Sequence, residues 1–133
     1  MSANLKKAFS LIELIFIIAV LGIISSVAIP KLLNTKSGAT VSTIKQDIST
    51  ITTSIQSYYI INDKIDKITD SININEKVWS VEDKKLTYSV DTKECITIAV
   101  VDKKLDITIS KDNSDMCQKL YDSGIRTISY DLE

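Results

Sequence analysis

Hydrophobic and polar residues follow three successive patterns along the chain. From Leu14 to Pro30 there is no charged residue, and residues 9–12 extend the apolar character upstream. From Ala39 onward, apolar residues recur at spacings of three and four, which is the period of one helix face. Beyond about residue 78, apolar and polar residues alternate, which is typical of half-buried strands. The pattern predicts an α+β fold in which a long amino-terminal helix packs on a small antiparallel sheet.

The second half of the predicted helix is amphipathic. Its opposite face carries Ser, Thr, Lys, Gln and Asp. Because Ser and Thr are poor helix formers, this half should depend on packing against the sheet. We expect the helix to extend from Phe9 to about Ile61, with a weak point at residues 34–38 where it could loosen. The apolar stripe consists of Val41, Ile44, Ile48, Ile51, Ile55 and Tyr58.

The remaining residues predict a sheet with polar turns. A weaker pattern of isoleucines favours a short helix over Ile65–Ile72, and Trp79 is expected to pack in the core or at the sheet edge. Lys84-Lys85 and Lys103-Lys104 fall at hairpin tips, where lysines solubilise a sheet and protect its edges. Two hairpins and a last strand are predicted: Val78–Val81 with Leu86–Val90, Cys95–Val101 with Leu105–Ser110, and Ile125–Tyr130.

The apolar segment is long enough to cross a membrane, since about 20 residues span a bilayer. It contains two helix breakers, Gly22 and Pro30. Pro30 has no N–H to donate to the carbonyl of Ser26, and its ring crowds that turn. We therefore expect a bend near Ser26–Pro30 and no end of the helix there.

One carboxylate, Glu13, lies at the start of this segment. A charge at mid-bilayer costs about 2.5–3.5 kcal/mol even on lenient insertion scales. Nothing else within the apolar run can neutralise Glu13. Its partner must come from a chain end, a lipid headgroup or another subunit.

The sequence KKAFSLIELIFIIAVLGIISSVAIPK, which begins at Lys6, resembles the amino-terminal segment of class III signal-peptide proteins, the type IV pilins and pseudopilins. The resemblance covers about the first 30 residues. It implies cleavage between Ala8 and Phe9 by a prepilin peptidase, followed by N-methylation of Phe9. It also implies that Glu13 neutralises the methylated amino terminus of a neighbouring subunit and that Pro30 kinks the helix. The family usually has Gly before the cleavage site, where this chain has Ala8.

The resemblance implies a division into a leader (1–8), a transmembrane and assembly helix (9–33) and a periplasmic pilin-like domain (34–133) that includes the amphipathic half of the helix. The chain would cross the inner membrane once, with its amino terminus in the cytoplasm. Its implied partners are the membrane, pilin-like subunits including copies of itself, the prepilin peptidase and a filament assembly platform. The implied function is a structural subunit of a periplasmic or surface filament serving type II secretion or DNA uptake.

Two other interpretations of the apolar segment remain open. The segment could be a secretory signal peptide cleaved near the small residues Ser25, Ser26 and Ala28, although the run is long for one and Glu13 would serve no purpose. It could be an ordinary anchor in which Glu13 reaches the membrane surface. The alternative function is then a non-assembling, membrane-anchored periplasmic binding module.

Composition narrows the possible chemistry. The chain has 16 basic and 17 acidic residues, and its formal net charge is −1. Such a balance is not that of a nucleic-acid-binding domain. A DNA contact would need the two hairpin tips that carry Lys84-Lys85 and Lys103-Lys104 to lie together at one end of the sheet. The absence of histidine excludes His-based triads, and no nucleophile constellation or glycine-rich phosphate loop occurs. We expect a protein that is not an enzyme.

Cys95 and Cys117 form an even pair in the part expected outside the membrane. Such a pair indicates a disulfide, and the alternative is two buried thiols. The oxygen-rich run from Asp112 to Asp115 offers Asp112 and Asp115 as weak calcium ligands. It does not match an EF-hand, and a solvated turn is the simpler interpretation. We therefore expect no cofactor, with calcium as the one candidate.

Overall fold

The computed structural model describes residues 10–133, the side chains of residues 33 and 34 excepted. The predicted processing site, Ala8 and Phe9, lies outside the described residues. The chain divides into two compact units, of which one ends at Gly38 and the other comprises Ala39–Glu133. The elements are α1 (Leu11–Asn62), a 3-10 turn (Ile68–Asp70), β1 (Ser80–Val81), β2 (Lys85–Val90), β3 (Lys93–Val101), β4 (Lys104–Ile109), α2 (Asp115–Asp122) and β5 (Ile128–Asp131).

Helix α1 continues through the positions where the sequence contains weak helix formers. The backbone is helical across Gly22, Pro30 and residues 34–38, so the loosening expected at 34–38 is wrong. The hydroxyl of Thr35 donates to the carbonyl oxygen of Lys31 over 2.9 Å and stays within the helix. Low helix propensity costs only about 1 kcal/mol per glycine, which a long helix overrides. The bend at Pro30 stays a prediction.

The carboxyl-terminal part of α1 packs its apolar stripe against the sheet, as the period predicts. Ile44, Ile51 and Ile55 are fully buried. Tyr59 is also buried, with 6 % of its surface exposed, whereas Tyr58 and Ile48 only border the core. The sheet covers this stripe with residues that alternate along β2, β3 and β4: Leu86, Ile96, Ile98, Val100, Leu105 and Ile107.

The five strands form an antiparallel meander in the order β1-β2-β3-β4-β5. Two of its turns are two-residue turns in the left-handed region. Asp91 and Thr92 have φ of 49° and 69°, and Asp102 and Lys103 have φ of 48° and 65°. Positive φ at both central residues is the turn geometry that matches the twist of a hairpin. The predicted hairpins are therefore confirmed and joined by a third, between β2 and β3.

Three elements differ from the expectation. The short helix predicted over Ile65–Ile72 is a single 3-10 turn, and the final strand begins at Ile128 instead of Ile125. The helix α2 was not predicted, because its eight residues are mostly polar. Two residues in the sequence mark its ends. Ser114 is the N-cap, and its side chain accepts a hydrogen bond from the Cys117 N–H. Gly124 follows the end of the helix and has a positive φ of 111°.

Candidate functional site: the apolar segment and the disulfide-bonded domain

The apolar part of α1 exposes all of its described side chains. Every residue from Ser10 to Leu32 is exposed, and the mean hydropathy reaches 2.7 over an 18-residue window, none of which is buried. Leaving so large an apolar surface in water would be strongly unfavourable. By length and composition, this helix can cross a membrane.

Glu13 lies in the first turn of α1, and Ser10 is the residue that caps this turn. The Ser10 hydroxyl accepts a hydrogen bond from the Glu13 N–H over 3.2 Å, and the Ser10 carbonyl accepts one from the Leu14 N–H over 3.1 Å. Ser10 and Glu13 have the spacing of a capping box, and the structure shows the half in which the Ser10 hydroxyl accepts from the Glu13 N–H. The helix macrodipole also favours a carboxylate at this position.

The described part of the chain gives Glu13 no cationic partner. No Lys or Arg nitrogen of residues 10–133 lies within 4.0 Å of its carboxylate. The helix macrodipole stabilises an exposed carboxylate at this position by about 0.3–1 kcal/mol, which is less than the cost of burying the charge in a bilayer. Residues 10–133 of one chain therefore do not compensate the cost of placing an ionised Glu13 in an apolar environment.

The disulfide between Cys95 and Cys117 is present, with a Cα–Cα distance of 5.2 Å. It joins β3 to the first turn of α2, and both cysteines are buried. The alternative of two free thiols is wrong, since neither cysteine is free. The Ser114 hydroxyl lies 3.0 Å from the Cys117 sulfur, so the helix cap and the disulfide form one structural unit.

The oxygen-rich loop that precedes α2 makes internal hydrogen bonds. Asn113 Nδ2 donates to the carbonyl oxygen of Glu94 over 2.6 Å, and Ser114 caps the helix. Within residues 10–133, no three His, Cys, Asp or Glu side chains lie together as a metal site would require. Asp112 and Asp115 are both exposed. Calcium binding at Asp112 and Asp115 stays a prediction with no observation in its favour.

The lysine tips of the two predicted hairpins meet at one end of the sheet. The Val100 N–H donates to the Lys84 carbonyl oxygen over 2.9 Å, which brings the β1–β2 turn beside the end of β3. Lys103 pairs with Glu133, and Lys104 lies 3.8 Å from Asp131. These carboxylates pair with Lys103 and Lys104. A DNA contact at this end of the sheet stays a prediction.

Sequence reasoning missed a cationic cleft between the β4–α2 and α2–β5 loops. Its volume is about 550 Å³, and Lys111, Tyr121 and Arg126 line it. The Lys111 Nζ lies 4.9 Å and the Arg126 Cζ lies 3.8 Å from the centre of the Tyr121 ring. These residues come from three separate elements, so no periodic pattern in the sequence indicates that they meet.

The comparisons with known proteins leave the family undetermined. No family model, no curated protein and no solved structure matches the chain.

Proposed function

We propose that this protein is a membrane-anchored structural subunit of a type IV pilus-like filament, of the pseudopilin or minor pilin kind. One observation carries the proposal: Glu13 lies in the first turn of α1, at the start of an apolar segment (residues 10–32) that is exposed throughout, with no cationic partner in the described chain. A second copy of the chain would supply that partner if its amino terminus were free. Two opposite charges then offset the burial cost that each would carry alone.

The rest of the molecule is consistent with such a role. The amphipathic half of α1 belongs to a disulfide-bonded α+β domain, so that domain and the apolar segment are linked by one continuous helix. A disulfide suits a domain exported to an oxidising compartment. Secretion or DNA uptake is the process proposed for the filament, and polymerisation would be driven by a partner motor.

The test is to replace Glu13 in two ways that separate its charge from its role in helix capping. Glu13→Gln removes the charge and keeps a side chain that can complete the capping box. Glu13→Val removes both. Ser10→Ala is the matched control, because it removes the cap hydroxyl and leaves the carboxylate.

We expect both Glu13 variants to insert into the membrane and to fail in assembly, and the Ser10 variant to assemble. The assay is cross-linking between subunits in cells, together with rescue of filament function in a deletion strain. Assembly of Glu13→Gln at the native level would show that the charge is not needed. That result would favour the interpretation of the apolar segment as a simple membrane anchor. It would then support the alternative function, a tethered binding module that does not assemble.

A further inference from the structure

The cationic cleft beside α2 has the features of an anion site. Arg126 is the chain's single arginine, and it shares the Tyr121 ring with Lys111. Two cations against one ring repel each other, which costs energy until an anion lies near both. No carboxylate oxygen of residues 10–133 lies within 4.0 Å of either cation. By contrast, four lysines elsewhere in the domain are paired in this way: Lys64, Lys67, Lys103 and Lys104.

Main-chain contacts hold the Arg126 guanidinium in place. Its Nη1 donates to the carbonyl oxygens of Tyr121 and Ile125, the latter over 2.9 Å. A guanidinium carries five N–H donors in a planar fork, so donors remain for a ligand. Because the fork is already oriented, binding costs little further side-chain entropy.

A hydroxyl adds a neutral donor to the same cleft. Thr127 Oγ1 accepts a hydrogen bond from the Ile109 N–H over 3.2 Å, and its own O–H hydrogen is then available to donate. Asn113, also in the lining, already donates its Nδ2 to the carbonyl oxygen of Glu94. The cleft therefore offers Arg126, Lys111 and Thr127 as hydrogen-bond donors.

The charge of the lining selects the anion. Besides Lys111 and Arg126, the lining contains one carboxylate, Asp112, so the cleft carries a single net positive charge. A carboxylate has one negative charge and matches the planar fork of a guanidinium. A phosphate monoester carries about 1.5 to 2 negative charges at pH 7, more than this single net positive charge neutralises, and its greater charge costs more to remove from water.

We propose that this cleft binds a carboxylate group, presented either by a small organic acid or by an acidic side chain of a partner protein. The proposal does not depend on filament assembly, because it concerns the isolated chain. The cleft volume of about 550 Å³ accommodates a ligand of the size of one amino acid or more.

The experiment is an NMR titration of the full chain in neutral detergent micelles. The probes are acetate, inorganic phosphate and two acetylated, amidated tripeptides, Ala-Glu-Ala and Ala-Gln-Ala. We expect acetate and the Glu peptide to shift the Thr127 amide and Arg126 side-chain signals, the Gln peptide to shift neither, and phosphate to bind more weakly than acetate. Tighter binding of the Glu peptide than of acetate identifies an acidic side chain as the ligand, whereas equal binding identifies a small acid.

Four variants make the outcome decisive. Arg126→Gln should weaken acetate binding about tenfold, and Lys111→Gln, which leaves the Arg126 contacts intact, should weaken it several-fold. Asp112→Asn should bring phosphate binding up to at least that of acetate. Lys119→Gln removes a charge from an exposed lysine of α2 outside the cleft lining and should change nothing. Shifts that are the same for the Gln peptide, or an equal loss in Lys119→Gln, would overturn the proposal.

Discussion

The indole N–H of Trp79 donates a hydrogen bond to the Asp47 Oδ2 over 3.1 Å and so ties the residue that precedes β1 to α1. Trp79 is 2 % exposed, and its ring centre lies 5.8 Å from that of Tyr88 on β2. Burial in the core confirms one of the two positions expected for this tryptophan. The contact with Asp47 shows that the polar face of α1 also takes part in packing.

Loss of the Asp47 carboxylate should leave the buried indole N–H without a partner. We expect Asp47→Ala to lower the free energy of unfolding by about 1–3 kcal/mol, whereas Asp47→Asn keeps an acceptor oxygen and should cost less. Trp79 is the single tryptophan of the chain, so its fluorescence reports unfolding at this site. Equal losses for the Ala and Asn variants would contradict a role for this hydrogen bond.

Two isoleucines of α1 provide a matched test of the packed stripe. Ile51 is 2 % exposed and Ile60 is 79 % exposed. We expect Ile51→Asp to lower the free energy of unfolding by about 4 kcal/mol or more, because it leaves an unpaired charge in the core. Ile60→Asp should change it by no more than about 0.5 kcal/mol. Urea unfolding in detergent, followed by Trp79 emission, measures both, and similar effects of the two variants would contradict the packing.

The disulfide should stabilise the domain as a single unit. Cys95→Ala and Cys117→Ala each break the same bond, so each should lower the free energy of unfolding by about 3 kcal/mol, and the double variant should cost little more. The melting temperature should fall by several degrees. Additive losses in the double variant would mean that cavities, not the lost bond, cause the destabilisation.

The regular elements could be predicted because their residues repeat with a clear period. Ile44, Ile51 and Ile55 recur with helical spacing, and Ile96, Ile98 and Val100 alternate, so both faces of the core could be identified. Tyr59 was missed because its neighbour Tyr58 fits the same period. Which of two adjacent residues is buried at the end of a helix depends on packing contacts, and the helical period does not specify these.

Structure that depends on contacts between distant residues could not be predicted. Helix α2 is only eight residues long and mostly polar, and its position is fixed by the disulfide at Cys117 and by burial of Leu120. The cationic cleft combines Lys111 and Arg126, which are far apart in the sequence. Glu13 was the site residue that could be singled out, because a charge beside an apolar run is conspicuous in any fold.

The free energy of unfolding should depend on alkaline pH because the Tyr88 side chain is partly buried. Burial raises the pKa of Tyr88 above the usual value of about 10. Above pH 10, the unfolded chain ionises this tyrosine first, so stability should fall as pH rises. The hydrogen bond to Glu133 raises the pKa of Lys103 and adds a loss of the same sign.

The variant Tyr88→Phe isolates the tyrosine contribution. Its free energy of unfolding should be close to that of the native chain at pH 8 and should fall less between pH 9 and pH 11, while the Lys103 contribution is retained. Urea unfolding across this range provides the measurement. An unchanged alkaline slope would mean that Tyr88 ionises equally well in the folded chain.

The mass of the native amino terminus tests the central claim most directly. A pilus-like subunit should be cut between Ala8 and Phe9 and should begin with N-methyl-Phe9, which places Glu13 fifth in the mature chain. Mass spectrometry of the protein extracted from its own membranes gives the answer in one spectrum. The account predicts the methylated Phe9 terminus. An intact Met1 or Ser2 terminus, or a start near Ala28, would contradict it and return the apolar segment to a plain anchor or a signal peptide.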